Sequence, residues 1–271
     1  MPELPEVETT RRGISPHITG KKVRAVVLRH TQLRWPIPPR LKTVLPGQVV
    51  SAVSRRGKYL FLTTDVGSVI IHLGMSGSLR LVNQKEPVGK HDHVDIVFNN
   101  ECILRLRDPR RFGAVLWTRS SPLEHKLIAS LGPEPLDEAF DTEYLFQRSR
   151  KRQLAIKPFI MDSKIVVGVG NIYASEALFR AGIRPGTAAG RVSRARYQQL
   201  VLAIKAVLAA AIKAGGTTLR DFVSGEGKPG YFQQKLQVYG RKGEACEVCG
   251  TAIKHVQQAQ RASYYCPRCQ R

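Results

Sequence analysis

Four of the five cysteines in the chain form two Cys-x2-Cys pairs, Cys246 with Cys249 and Cys266 with Cys269, sixteen residues apart. A two-residue gap lets both sulfurs of a pair reach one tetrahedral ion, and the spacing is that of a four-thiolate zinc site. The intervening residues are enough for a short β-hairpin. Two disulfides are the alternative, which a cytosolic compartment disfavours. Four thiolates leave the Zn2+ no open coordination position, so the single ion is structural. It folds a segment too small to fold alone. Cys102 lies in the apolar run Cys102-Ile103-Leu104 and reads as a buried core residue.

The charge is as constraining as the cysteines. Lys and Arg number 43 against 21 Asp and Glu, a net of +22 over 271 residues. Residues 1–150 hold 23 basic and 15 acidic side chains, whereas 151–271 hold 20 and 6. Net charge tuned only for solubility is usually smaller, so a polyanion is expected, with much of its contact in the second part. Nucleic acid fits better than an anionic membrane, because no helix pattern pairs a basic face with a strongly apolar one. No run approaches the roughly 20 unbroken apolar residues of a membrane span. Met1-Pro2-Glu3-Leu4-Pro5-Glu6 is acidic and proline-bearing, unlike a signal peptide.

Leu4, Val7 and Arg11 are spaced for a short helix that tolerates Pro2 and Pro5 in its first turn and closes at Gly13. Eight β-like runs follow, at 23–28, 49–54, 59–63, 68–72, 78–82, 94–98, 103–106 and 114–117, separated by turn signals. Short strands without long intervening helices argue a β-sandwich. Leu131-Gly132-Pro133-Glu134-Pro135-Leu136 is a rigid break. Beyond it the pattern turns helical, at 143–150, 172–181, 218–223 and a long stretch capped by Ser193 and running to about Ala214. The predicted class is α+β, with domains at 1–131, 132–236 and 237–271.

Several segments carry possible chemistry. Removal of Met1 would make Pro2 a terminal secondary amine, partly neutral near pH 7, and a helix starting there would lower its pKa further. A neutral amine attacks carbon and forms an iminium. Glu3 and Glu6 share a face beside it, either able to act as general acid, although the segment is also ordinary capping chemistry. Gly168-Val169-Gly170-Asn171 precedes a helix and reads as a phosphate site or as a plain turn. Arg110-Arg111-Phe112 follows a proline turn, and Met75 sits in a Gly-rich turn. Each large apolar side chain is either core or a wedge for a base stack. His91 and His93 lack a third metal ligand nearby. Basic clusters at 55–58, 90–93 and 150–152 are solvated faces or phosphate contacts, and the loop 225–232 is a linker or a cover for a base.

Taken together these pieces resemble the bacterial formamidopyrimidine-DNA glycosylases from end to end. The matching stretches are Pro2-Glu3-Leu4-Pro5-Glu6-Val7-Glu8-Thr9, His72-Leu73-Gly74-Met75-Ser76-Gly77, Asp108-Pro109-Arg110-Arg111-Phe112-Gly113, Ile156-Lys157-Pro158, Gly168-Val169-Gly170-Asn171-Ile172-Tyr173, Gly227-Lys228-Pro229-Gly230-Tyr231-Phe232, Ala259-Gln260-Arg261 and the four cysteines. The resemblance implies an N-terminal β-sandwich, a helix–two-turn–helix domain and a C-terminal zinc finger. It implies a bacterial cytoplasmic, nucleoid-associated enzyme that removes 8-oxoguanine and ring-opened purines from damaged duplex DNA and then cleaves the strand. A monomer is the simplest arrangement for damage scanning.

Carried over by position, Pro2 is the nucleophile on C1′, Glu3 a proton donor assisting ring opening, Lys58 the donor linked to β-elimination and Arg261 the one linked to δ-elimination. His91, Arg110 and Arg152 are implied to bind DNA. Met75, Arg110 and Phe112 would fill the space of the extruded base, and Lys157 and Asn171 would hold phosphates. At the Arg152 position the family often has Lys, a change that a phosphate contact tolerates. Two rivals remain: the sister group that removes oxidised pyrimidines, which Leu4-Pro5 and the 227–232 loop match less well, and a zinc-dependent DNA-binding protein without catalysis.

Overall fold

A computed structural model describes residues 2–215 and 236–271. The expected helix at 218–223 and the loop at 227–232 lie outside the described residues. The described chain divides into two compact units, residues 2–129 in one and residues 130–214 with 236–271 in the other.

The first unit begins with α1 (Leu4–Ile18), capped by Glu3. It continues through β1 (Val23–Leu28), a single turn α2 (Leu41–Val44), β2 (Ala52–Arg56), β3 (Tyr59–Thr64), β4 (Gly67–His72), β5 (Ser78–Val82), β6 (Asp92–Phe98), β7 (Ile103–Arg107) and β8 (Ala114–Thr118). The eight expected strands are all present, as two four-stranded sheets with orders β1-β6-β7-β5 and β2-β3-β4-β8. Every pairing is antiparallel. Alternation explains the sandwich: Val94, Ile96 and Phe98 of β6 join Leu60, Leu62, Val69 and Ile71 of the other sheet in one apolar core.

Two sequence expectations give way here. The helix does not stop at Gly13 but runs on to Ile18, because Ile14 and Ile18 are fully buried in that core. Their burial outweighs the roughly 1 kcal/mol that a mid-helix glycine costs. It also starts later than expected: Pro2 precedes the cap, and Pro5 occupies the first turn.

The outer face of the first sheet holds a buried ionic network. Arg105 bonds both oxygens of Asp95 at 2.9 and 3.0 Å, and Arg29 reaches Asp95 at 2.6 Å. Burial alone would raise the Asp95 carboxyl, but these guanidinium bonds hold it below its usual range.

The second unit contains α3 (Thr142–Ser149), α4 (Ile156–Met161), α5 (Asn171–Arg180), α6 (Arg194–Lys213) and a hairpin of β9 (Lys254–Gln258) and β10 (Arg261–Tyr265). Asp141 caps α3 by accepting from the Tyr144 N–H at 2.7 Å, and Ser193 caps α6. The turn α4 went unpredicted, since six residues containing Pro158 show no helical period. By length and composition α6 would suffice to cross a membrane. Its buried stripe of Leu200, Ile204, Val207, Leu208 and Ala211 belongs to a helix packed on α3 and α5.

Candidate functional sites

In the first unit the start of α1 brings together the Pro2 nitrogen, an amine once Met1 is removed, and two carboxylates. Pro2, Glu3 and Glu6 are buried. The Glu3 N–H donates to Glu6 Oε2 at 2.8 Å, closing a capping box. The nucleophile expected at Pro2 and the acid expected at Glu3 thus stand at the positive end of a helix dipole.

Lys58 occupies the two-residue turn between β2 and β3, after Gly57 at φ +57°. Beside it His72, paired in register with Tyr59, accepts the Gly74 N–H on Nδ1 at 3.0 Å. Burial, and then the charges of Lys58 and Arg34, push the His72 pKa down to about 4. His72 is therefore a neutral imidazole with its proton on Nε2. Only the fold reveals this site, because it forms by cross-strand register between residues thirteen positions apart.

Met75 and Phe112, left open between core and wedge, are both solvent-facing, with 40% and 44% of their surface exposed. The Arg110 guanidinium lies 4.8 Å over the Phe112 ring. The two loops are locked together. A side chain at Gly74 would strike the backbone of Phe112 and Gly113, and one at Gly77 the Leu73 carbonyl. Asp108, fully buried, accepts from the Ser76 hydroxyl at 2.7 Å and from the Gly113 N–H at 2.8 Å. Its own N–H donates to the His91 carbonyl at 3.0 Å, and its carbonyl meets His93 Nε2 at 2.9 Å. Asp108 therefore holds the segments of Met75, His91 and Phe112 as one platform, a role with no local sequence signal.

In the second unit Asn171 opens α5, its amide nitrogen donating to the Tyr239 hydroxyl at 3.4 Å. Among the described residues its Oδ1 is buried without a hydrogen-bond partner. Glu176 on the same helix accepts the N–H groups of Gln237, Val238 and Tyr239 at 2.8, 3.0 and 2.9 Å. Arg152 is exposed. Arg261 is exposed and begins β10 just after Ala259 and Gln260, both at positive φ. Lys157, expected to hold a phosphate, is buried, its ammonium donating to the Ala262 carbonyl at 2.7 Å and the Ser263 hydroxyl at 3.0 Å. Lys157, in the first turn of α4, thus ties β10 to that helix.

The sulfurs of Cys246, Cys249, Cys266 and Cys269 lie within 4.8 Å of one another. The separations Cys249–Cys266 and Cys246–Cys269 are 3.4 and 3.9 Å. A tetrahedron with zinc–sulfur bonds of about 2.3 Å has edges of about 3.8 Å, so the donor set fits one Zn2+. Hydrogen bonds from Thr251 lower the Cys249 thiol to about 6, whereas burial and then the neighbouring thiols push Cys269 up to about 12. Four thiolates crowded this closely need a dication to ionise together. The cluster packs with Phe179, Val238 and Ile253, which makes it structural.

Comparison with known proteins agrees across the whole length. Residues 1–115 match the formamidopyrimidine-DNA glycosylase N-terminal domain, residues 131–223 its H2TH domain and residues 243–271 the zinc finger found in FPG and IleRS. The formamidopyrimidine-DNA glycosylase of Pseudomonas putida strain GB-1 is 62% identical over 271 residues, covering all of both chains. That of Pseudomonas entomophila is 60% identical over the same span. Among solved structures, Lactococcus lactis Fpg in complex with abasic-site DNA superposes with a TM-score of 0.93 at 35% identity, covering all of both chains. The MutM (Fpg) protein of Thermus thermophilus superposes at 0.88 and 37% identity, over 99% of this chain and 98% of that one. The chain belongs to the formamidopyrimidine-DNA glycosylase family.

Proposed function

We propose that this chain is a base-excision repair enzyme, a DNA glycosylase that removes 8-oxoguanine and formamidopyrimidines from duplex DNA and then acts as an AP lyase. The observation that carries the chemistry is the Pro2 amine position at the head of α1, beside the buried carboxylates of Glu3 and Glu6. With Met1 removed, the Pro2 nitrogen attacks C1′ of the damaged nucleotide as the C1′–N9 bond breaks and the base leaves with its electron pair and a proton. The nitrogen loses its own proton. Glu3 then protonates O4′ as the C1′–O4′ bond opens, leaving an iminium between Pro2 and C1′. That electron sink acidifies C2′–H. Loss of this proton expels the 3′ phosphate, the step in which Lys58 takes part, and Arg261 serves the second elimination on the 5′ side.

A base stacked in a duplex is out of reach of a nucleophile buried in the protein, so the nucleotide must leave the helix first. Exposed Met75 and Phe112, with Arg110 stacked on the latter, suit filling the vacated space. His91, Arg110, Arg152 and Asn171 supply backbone contacts. The charge excess in residues 151–271 supports a duplex grip that is sensitive to salt and indifferent to the lesion. We divide the chain accordingly into a catalytic sandwich (1–131), a helical DNA-binding domain (132–236) and a zinc finger (237–271); the described residues 132–214 and 236–271 belong to one compact unit.

Borohydride trapping tests the reading. A covalent adduct with 8-oxoguanine duplex is expected for the parent and none when its N-terminal amine is blocked. Absence of any adduct with damaged duplexes favours a DNA-binding protein without catalysis. Faster excision of thymine glycol than of 8-oxoguanine favours the pyrimidine-specific sister group.

A further inference from the structure

Glu8 has no part in the chemistry above, yet it accepts four hydrogen bonds from three arginines. Arg11 reaches Oε2 with Nε at 3.0 Å and Oε1 with Nη2 at 2.8 Å, and Arg12 Nε reaches Oε1 at 2.8 Å. The third partner comes from another element: Arg55 of β2 donates from Nε to Oε2 at 3.0 Å. Burial alone would raise this carboxyl, but the bonds from Arg11, Arg12 and Arg55 hold it at about 2, so it is an anion at any working pH.

Arg55 has a second engagement. Its Nη1 donates to the Gly57 carbonyl at 2.9 Å. That carbonyl belongs to the peptide bond leading into Lys58, in a turn where Gly57 sits at φ +57°. One planar guanidinium therefore spans two acceptors, a carboxylate on the helix that begins at Pro2 and Glu3, and the peptide that carries Lys58. Both ion-paired side chains are largely buried, with 13% and 10% of their surface exposed. Only a rigid fork holds two such acceptors at fixed separation.

We propose that Arg55, anchored by Glu8, is a positioning residue that fixes the Gly57–Lys58 turn against α1 and so sets the approach of the Lys58 ammonium to the sugar carbon engaged by Pro2. The inference rests on the roles proposed above for Pro2 and Lys58. A lysine side chain is long and mobile, and its stem must start from a fixed point if its tip is to meet C2′ or the departing phosphate. Reaction rates fall steeply, by about a hundredfold for a misplacement near 1 Å, when such a group is loosened.

The test compares single-turnover base release, trapped adduct and strand cleavage on 8-oxoguanine duplex for three full-length proteins. Arg55→Met keeps Glu8 paired with Arg11 and Arg12. It is expected to release base within about threefold of the parent while β-elimination slows by about tenfold or more, raising the ratio of trapped adduct to cleaved strand. Arg12→Met removes an equally short bond to Glu8 from an exposed side chain that does not touch the turn, and is expected to keep the parental ratio. If Arg55→Met does not fold, as judged by its thermal transition, Glu8→Gln reads the other end of the same strut. A parental ratio in Arg55→Met or, if that variant does not fold, in Glu8→Gln overturns the proposal, and so does an equal shift in Arg12→Met. Failure of the underlying reading looks different: the parent forms no adduct, or Lys58→Ala leaves the parental ratio unchanged.

Discussion

The Ser76 hydroxyl donates to Asp108 Oδ1 at 2.7 Å, and this bond ties the loop carrying Met75 to the loop carrying Phe112. The same hydroxyl oxygen accepts the Arg110 N–H at 3.2 Å. Ser76→Ala removes both links and leaves a fully buried carboxylate short of a donor, which costs about 1–3 kcal/mol. The expected outcome is slower excision from a paired duplex, with cleavage of a ready-made abasic site affected less, because no base has to be extruded there. Single-turnover rates on the two substrates check it, and an equal loss on both contradicts the platform.

Met75→Ala and Phe112→Ala should leave stability within about 0.5 kcal/mol, since both side chains face solvent. Excision should nevertheless fall by about tenfold or more, the scale of an unstacking cost of a few kcal/mol left partly uncompensated. Leu60→Ala, at a fully buried core position, should do the reverse and cost about 2–5 kcal/mol in urea unfolding.

Lys157 and Arg152 should separate by salt dependence. A phosphate contact contributes about one unit to the slope of log affinity against log salt. Arg152→Ala should reduce that slope, whereas Lys157→Met should keep it and lower the melting temperature, because its ammonium is committed to Ala262 and Ser263. A reduced slope in Lys157→Met would return this residue to the DNA.

Cys249→Ser should abolish zinc binding and, with it, most DNA affinity, since the metal supplies the folding energy of the finger. The sandwich has its own core and should stay folded. Metal content, duplex titration and the near-ultraviolet signal of Trp117 in that core distinguish the two. Full affinity without zinc contradicts the assignment of the finger to the interface.

His72 gives a pH signature. Its folded pKa of about 4 lies below the ordinary 6.5. Between these values the unfolded chain binds the extra proton, so the His72 contribution to stability is intact above pH 6.5 and is lost as pH falls towards 4. His72→Gln should therefore lose less stability than the parent between pH 7 and pH 4.5, by about 2 kcal/mol, in urea titrations. Identical losses would place the imidazole in water.

The strands were legible because their alternation and turn residues are local, and the finger because ligand spacing is itself the signal. The extent of α1 was not, since the burial of Ile14 and Ile18 that carries the helix past Gly13 comes from sheets formed later in the chain. Nor were the partners of Lys157, since nothing near Ile156-Lys157-Pro158 announces a contact more than a hundred positions away.

By itself the sequence determined the strands of the sandwich, the metal ligands, the charge excess and, through its motifs, the family. These follow from residue type and from spacings of a few positions. Only the tertiary structure decided that Met75 and Phe112 face outward on one platform, that His72 is neutral, and that Arg55 joins α1 to the Lys58 turn. Each depends on which distant backbone or charge lies within about 3–5 Å, a range at which hydrogen bonds and desolvation act and which residue order does not encode.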